Sequence, residues 1–187
     1  LFRSPLKSLK LQNVRLSWIA AALLLAFCMH PLFTWITSIV LQLYPPTTDM
    51  TVTHTFLDTI LSGAPGVWAI IVVIAFAPAL LEELAFRGFI LSGMQSIRSN
   101  FKAIILTSIL FGVAHAVFQQ SIVTFFVGCV LGFIAVRTGS IFPCIAYHAV
   151  HNSVFAFIAY YGPSLLDGPF GWLFSCSDGT DRKSTRL

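Results

Sequence analysis

The sequence predicts an all-α fold, a polytopic transmembrane helix bundle of about five to six spans with a polar intramembrane cavity. The first observation is composition: the 187 residues are 57% hydrophobic and only 10% charged, whereas soluble domains carry about a quarter charged residues. The second is that the apolar residues fall into runs close to the roughly 20 residues that a spanning helix needs. Because a backbone in hydrocarbon must satisfy its own hydrogen bonds, each run is expected to be helical.

Five apolar runs are the candidate spans: residues 17–43, 66–91, 103–118, 122–136 and 141–161. The pair His30-Pro31 predicts a kink or break in the first run, since proline removes a helical hydrogen bond.

The spans define the expected domain organisation. Residues 1–16 form a basic segment whose natural start we expect to be missing, because residue 1 is Leu. Residues 17–161 form the transmembrane domain, with a motif-bearing core at 66–161. Residues 162–180 are expected to be an interfacial segment or a truncated sixth span. The tail DRKSTRL, 181–187, is interpreted as translated sequencing adapter and excluded from the fold.

Basic residues lie on alternate sides of the predicted spans. They precede the first span, separate the second from the third and follow the fourth, whereas the loops 44–65, 119–121 and 162–176 have no Lys or Arg. This pattern favours a cytoplasmic N-terminus. The net charge of +4 is thereby explained by membrane topology, and no nucleic-acid partner is expected.

Three charged residues interrupt the second run, in the stretch EELAFR. Glu83 and Arg87 are four residues apart and share a helix face, so they are predicted to form an ion pair. Glu82 lies about 100° around the helix and is expected to point into a different neighbourhood. Because ionisable residues in the membrane are functional candidates by default, Glu82 is the candidate general base.

Polar residues recur in later spans. The third carries His115 in FGVAH, and the fifth carries His148 and Asn152, which share a helix face in YHAVHNS. His151 is a possible substitute for His148 or a supporting neighbour. A lone histidine in a span is more often structural, but polar positions on separate spans together predict one polar cavity.

The ordered motifs EExxxR, FxxxH and HxxxN resemble the CPBP family of CAAX proteases and bacteriocin-processing enzymes, also called the ABI family. The resemblance covers roughly residues 66–161 and implies an intramembrane endopeptidase of a bacterial cell membrane. It implies that Glu82 activates water with the help of His115, that His148 and Asn152 stabilise the oxyanion, and that Glu83 and Arg87 support the site. The implied partners are the lipid bilayer and a membrane-associated peptide or protein substrate, either prenylated CAAX-type or leader-like.

The cofactor requirement is open at the level of sequence. Glu82, His115 and His148 are acceptable zinc ligands, and Zn²⁺ is the alternative that the family leaves open. The two-histidine motif HExxH is absent. We therefore favour metal-free hydrolysis with no required cofactor.

The sequence lacks the motifs of two other classes of intramembrane protease. A rhomboid-type serine site needs GxSG, and Ser92-Gly93 lacks the first glycine; an aspartyl site needs intramembrane aspartates, and Asp49, Asp58 and Asp167 lie in predicted loops. The alternatives from another class are a transporter or permease segment and an immunity protein that keeps the fold without catalysis.

Overall fold

The structure is a computed structural model, which describes residues 9–45 and 66–166 together with the single positions 55, 59 and 63. The predictions for the start of the chain, for most of 162–180 and for the tail 181–187 lie outside the described residues. The proposed domain boundaries therefore stay predictions.

Five long helices make up the described part of the chain, which contains no strand. They are α1 (Leu16–Leu43), α2 (Val67–Gln95), α3 (Asn100–Ala114), α4 (Phe118–Thr138) and α5 (Phe142–Leu166). The all-α prediction is confirmed. By length and composition α1, α2 and α4 can each cross a membrane, while α3 is a shorter apolar helix of 15 residues. The expected count of five to six spans stays a prediction.

Three details of the predicted spans are corrected. The predicted loop at 119–121 is helical, because α4 begins at Phe118. His115 lies just beyond the end of α3 rather than within it. The first helix continues past Pro31, so the predicted break is wrong, while the alternative of a kink stays a prediction.

Helix α2 changes its winding around the charged motif. Two π-helical segments, Ile71–Phe76 and Leu84–Ile90, flank the α-helical segment Ala77–Glu83. Such widened turns are rare and often occur at functional sites. The two glutamates thus stand at the end of an α-helical segment, and Arg87 lies on the widened turn that follows.

Small residues bring α3 and α4 into close contact. A Cβ added at Gly128 would lie 3.1 Å from the Cα of Ser108, and one added at Gly112 would lie 2.6 Å from the Ser121 carbonyl oxygen. Glycines at such positions allow two helix backbones to approach in a membrane. Helix α1 packs mainly on α5, which also lies against the first half of α2.

The segment before α1 is hydrogen-bonded to the connection between α4 and α5. Gly139 ends α4 in the left-handed conformation at φ 67°, a conformation that glycine adopts without steric cost. Just beyond it, Ser140 Oγ donates to the Gln12 carbonyl at 2.8 Å, and Ile141 N donates to the Lys10 carbonyl at 3.1 Å. Burial at this contact lowers the pKa of the Lys10 ammonium.

Candidate active site

An ion pair stands at the centre of the polar cluster. Arg87 Nη1 donates to Glu83 Oε1 at 2.8 Å, and both side chains are buried, with 1% and 0% of their surface exposed. The i, i+4 pair predicted from the sequence is confirmed. Arg87 also reaches α4, where its Nη2 donates to the Gly128 carbonyl at 3.2 Å.

His148 joins this pair from α5. Its Nδ1 lies 2.9 Å from the same Glu83 Oε1. A carboxylate paired with a guanidinium only accepts hydrogen bonds, so the hydrogen belongs to Nδ1 of His148. Glu83 therefore does more than neutralise Arg87, because it also fixes the orientation of the His148 ring.

Glu82 approaches the other nitrogen of the same ring. The distance from Glu82 Oε2 to His148 Nε2 is 4.0 Å. The expectation that the two glutamates point into different neighbourhoods is wrong, because one imidazole, with nitrogens on two sides of its ring, lies between them. Glu82 is 33% exposed and Glu83 is fully buried. Of the two carboxylates, Glu82 is the accessible one.

Phe111 on α3 packs against the charged and histidine side chains of the cluster. Its ring centroid lies 4.4 Å from the Arg87 guanidinium carbon, a cation–π distance. The ring also meets those of His115, His148 and Phe86 edge-on, at 4.9, 5.9 and 5.0 Å. The residue is 1% exposed. One aromatic side chain thus contacts groups from α2, α3 and α5.

His115 lies at the turn between α3 and α4. Its Nδ1 donates to the Phe111 carbonyl at 2.8 Å, which leaves Nε2 as the free nitrogen of the neutral ring. The next residue, Ala116, has φ 59°, a left-handed conformation that is uncommon for a residue with a side chain. Among the described residues His115 makes no hydrogen bond to either glutamate, so the structure brings it to the cluster through Phe111.

Asn152 and His151 occupy neighbouring faces of α5. Asn152 follows His148 by one turn and is half-buried on the face of the cluster. His151 instead contacts α1, with its ring centroid 5.2 Å from that of His30. The structure therefore does not bring His151 to the glutamates.

The side chains named as possible zinc ligands do not form a metal site in the described part of the chain. Among those residues no group of three His, Cys, Asp or Glu side chains could hold a metal ion. Glu82 and His148 are close, whereas His115 directs a nitrogen to its own helix. We derive no step through a metal, and the cofactor requirement stays a prediction.

Two contributions to the cluster were missed from the sequence. Phe111 was noted only as the first letter of a motif, and Gly128 was not singled out. The i, i−4 spacing of Phe111 and His115 could have indicated a contact on one helix face. Nothing in the sequence signals that the Gly128 carbonyl accepts from Arg87, 41 residues away.

Comparison with models of protein families gives a match over part of the chain. A family model described as Type II CAAX prenyl endopeptidase Rce1-like matches residues 64–154. The matched segment holds α2, α3, α4 and the part of α5 that carries His148 and Asn152, and it excludes α1. No curated protein and no solved structure gives a significant match to the chain.

Proposed function

Through residues 64–154 the chain belongs to the CAAX protease (CPBP) family, and from that premise we propose that it is an intramembrane endopeptidase whose hydrolytic water is activated by Glu82. The observation that supports this proposal is the arrangement Arg87–Glu83–His148, with the accessible Glu82 carboxylate at the far nitrogen of the imidazole. The substrate is a membrane-associated peptide or protein, of the prenylated CAAX type or a leader-like peptide.

The accessible carboxylate is the base. The Glu82 side chain as a whole is 33% exposed, while its Oε2 atom is shielded from the surface and has no hydrogen-bond partner among the described residues. This oxygen is therefore free to accept a proton from a bound water molecule. As the water oxygen bonds to the carbonyl carbon of the substrate, its proton passes to Glu82. The same proton then goes to the leaving amine nitrogen as the carbon–nitrogen bond breaks.

His148 and Asn152 stabilise the oxyanion. Because Nδ1 donates to Glu83, Nε2 is the nitrogen that faces the substrate, and it donates when the ring carries both protons. In that form the formal charges balance, with two carboxylates against one guanidinium and one imidazolium. The Asn152 amide supplies a second donor on the same face.

The decisive experiment compares purified wild type with Glu82→Gln on three peptides: a prenylated CAAX-type peptide, the same peptide without the lipid, and a leader-like peptide. The amide keeps the shape of the side chain but cannot act as a base. We expect the turnover of any accepted peptide to fall by about 10²–10⁴-fold. The matched control is Thr124→Val on α4, whose hydroxyl donates within its own helix and whose loss should leave turnover unchanged.

Each result has a distinct meaning. Turnover that survives in Glu82→Gln would exclude Glu82 as the base. If wild type cleaves none of the three peptides, the endopeptidase proposal fails for these substrate classes, and a transporter or immunity function becomes the better hypothesis. Measuring the metal content and chelator sensitivity of the same samples tests the proposal of metal-free hydrolysis. A requirement for stoichiometric Zn²⁺ would contradict it.

A further inference from the structure

A second polar cluster lies between α1 and α5, outside the set that surrounds Glu83. The ring of His151 meets that of His30 at 5.2 Å and that of Phe33 at 5.6 Å, so both contacts reach α1. Tyr147 precedes His151 by one turn, and its ring stacks on that of His151 at 6.2 Å. His30, Tyr147 and His151, which we call the α1–α5 cluster, lie next to the face of α5 that carries His148.

The polar atoms of this cluster are buried but unpaired. His30 Nδ1, Tyr147 Oη and His151 Nδ1 are each shielded from the surface and have no hydrogen-bond partner among the described residues. Tyr147 as a whole is fully buried. Buried polar groups are nearly always hydrogen-bonded, because leaving one unpaired in an apolar interior costs more than the bond itself contributes. The His151 ring contacts both of the other rings, so the three atoms lie on neighbouring side chains and require a ligand that the described side chains do not supply.

The chemistry of the three groups identifies that ligand. A neutral imidazole offers one donor and one acceptor, and a phenol hydroxyl offers both. None carries a fixed charge, and the described residues form no group of His, Cys, Asp or Glu side chains that could hold a metal ion. Internal water needs two to four polar partners and can both donate and accept. It is the one common ligand that matches this set.

We propose that His30, Tyr147 and His151 bind internal water between α1 and α5, and that this hydrated site fixes α1 against the helix that carries His148 and Asn152. The inference does not rest on the proposed protease activity. It gives α1, which lies outside the matched segment 64–154, a defined role in holding the site-bearing helix.

Tyr147→Phe tests the proposal by the sign of its effect, because it removes one hydroxyl and little else. If water pairs with the hydroxyl, its removal leaves the water short of a partner, and the Tm of the detergent-purified protein should fall by about 2–4 °C. If the hydroxyl has no partner, its removal should raise the Tm or leave it unchanged, which would overturn the proposal. Tyr160→Phe, on the same helix but outside the cluster, is the matched control and should leave the Tm unchanged.

A second measurement distinguishes water from a direct side-chain contact. In protein with nitrogen-15-labelled histidine, magnetisation should pass from water to the rings of both His30 and His151. Signals are assigned with His30→Gln and His151→Gln, and the transfer should weaken in Tyr147→Phe. If either ring receives no magnetisation from water, a hydrated site shared by the three side chains is excluded, whatever the change in Tm.

Discussion

Helix α5 presents two polar faces that are stabilised in opposite ways. On the face toward α2, His148 contacts two carboxylates, and the more deeply buried of these is also paired with Arg87. On the face toward α1, Tyr147 and His151 present polar atoms that no described residue pairs with. The first face carries formal charges, two of which form the Glu83–Arg87 ion pair, whereas the second carries side chains without a fixed charge.

The difference shows why one face was recognisable in the sequence and the other was not. A formal charge in a membrane needs a specific partner at a specific distance. The two charged residues therefore recur at a recognisable interval in the sequence, such as the i, i+4 spacing of Glu83 and Arg87. Neutral groups can be satisfied by water at various distances and leave no fixed spacing. Substitutions on the charged face should therefore have larger effects on stability than substitutions on the neutral face.

Arg87→Ala should have the largest effect on stability. It removes the guanidinium that pairs with the buried Glu83 carboxylate, and breaking a buried pair in this way costs about 3–5 kcal/mol. The free energy of unfolding is measured by denaturant titration in detergent, with Arg137→Ala, an exposed arginine at the end of α4, as control. Adding Glu83→Gln to Arg87→Ala should recover part of the loss. A loss no larger than that of the control would show that the pair does not support the charged face.

Gly128→Ala should have the next largest effect. The added methyl group would lie 3.1 Å from Ser108 Cα and Cβ, and the helix that presents its carbonyl to Arg87 must shift. Overpacking of this kind costs about 1–3 kcal/mol. Gly93→Ala is the control, because a Cβ there meets nothing within 4 Å. Equal stability of the two variants in the same titration would contradict the close α3–α4 packing.

Phe111→Leu should have an intermediate effect on stability and a clear effect on turnover. Leucine keeps much of the apolar volume but removes the aromatic face that Arg87 lies over, a contact that contributes roughly 1–2 kcal/mol when desolvated. It also removes the edge contacts that place His115 and His148. Phe133→Leu, at a position 58% exposed on α4, is the control. If both leucine variants unfold and turn over alike, Phe111 has no positioning role.

Glu82→Gln should have the smallest effect on stability, within about 0.5 kcal/mol of wild type. Its side chain is one-third exposed, and its Oε2 has no hydrogen-bond partner in the described part of the chain. Glu83→Gln should be clearly less stable, because it weakens the contacts to both Arg87 and His148. Thermal unfolding of the two variants side by side measures the difference. Equal destabilisation would contradict the assignment of Glu82 to catalysis and of Glu83 to structural support.

The parts predicted from the sequence are those fixed by local spacing. The apolar runs gave the all-α class and each of the five long helices, and the i, i+4 spacing gave the Glu83–Arg87 pair. Helix ends were less accurate, because apolar residues continue past the turn at His115 and make a loop look like a span. A hydrophobic run therefore locates a helix better than it locates the polar turn at its end.

The contacts that the sequence did not predict join distant parts of the chain. Glu83 and His148 are 65 residues apart, and no periodicity places one against the other. The same holds for His30 and His151, which belong to the first and last long helices. Their approach depends on how α1, α2 and α5 pack, which small residues and apolar volume decide. His30 was noted only as the residue before Pro31, because its partner lies more than a hundred residues away.

The hydrogen bond from Ser140 to Gln12 spans 128 residues of chain and has a consequence for biosynthesis. The residues before α1 leave the ribosome ahead of the five long helices, yet their partners in the α4–α5 connection are made after four of those helices. Contacts so distant in sequence form late, since the intervening chain must be ordered first. The nascent protein thus lacks the two hydrogen bonds donated by Ser140 and Ile141 until the α4–α5 connection has been made, and a chain that stops before Ser140 never forms them.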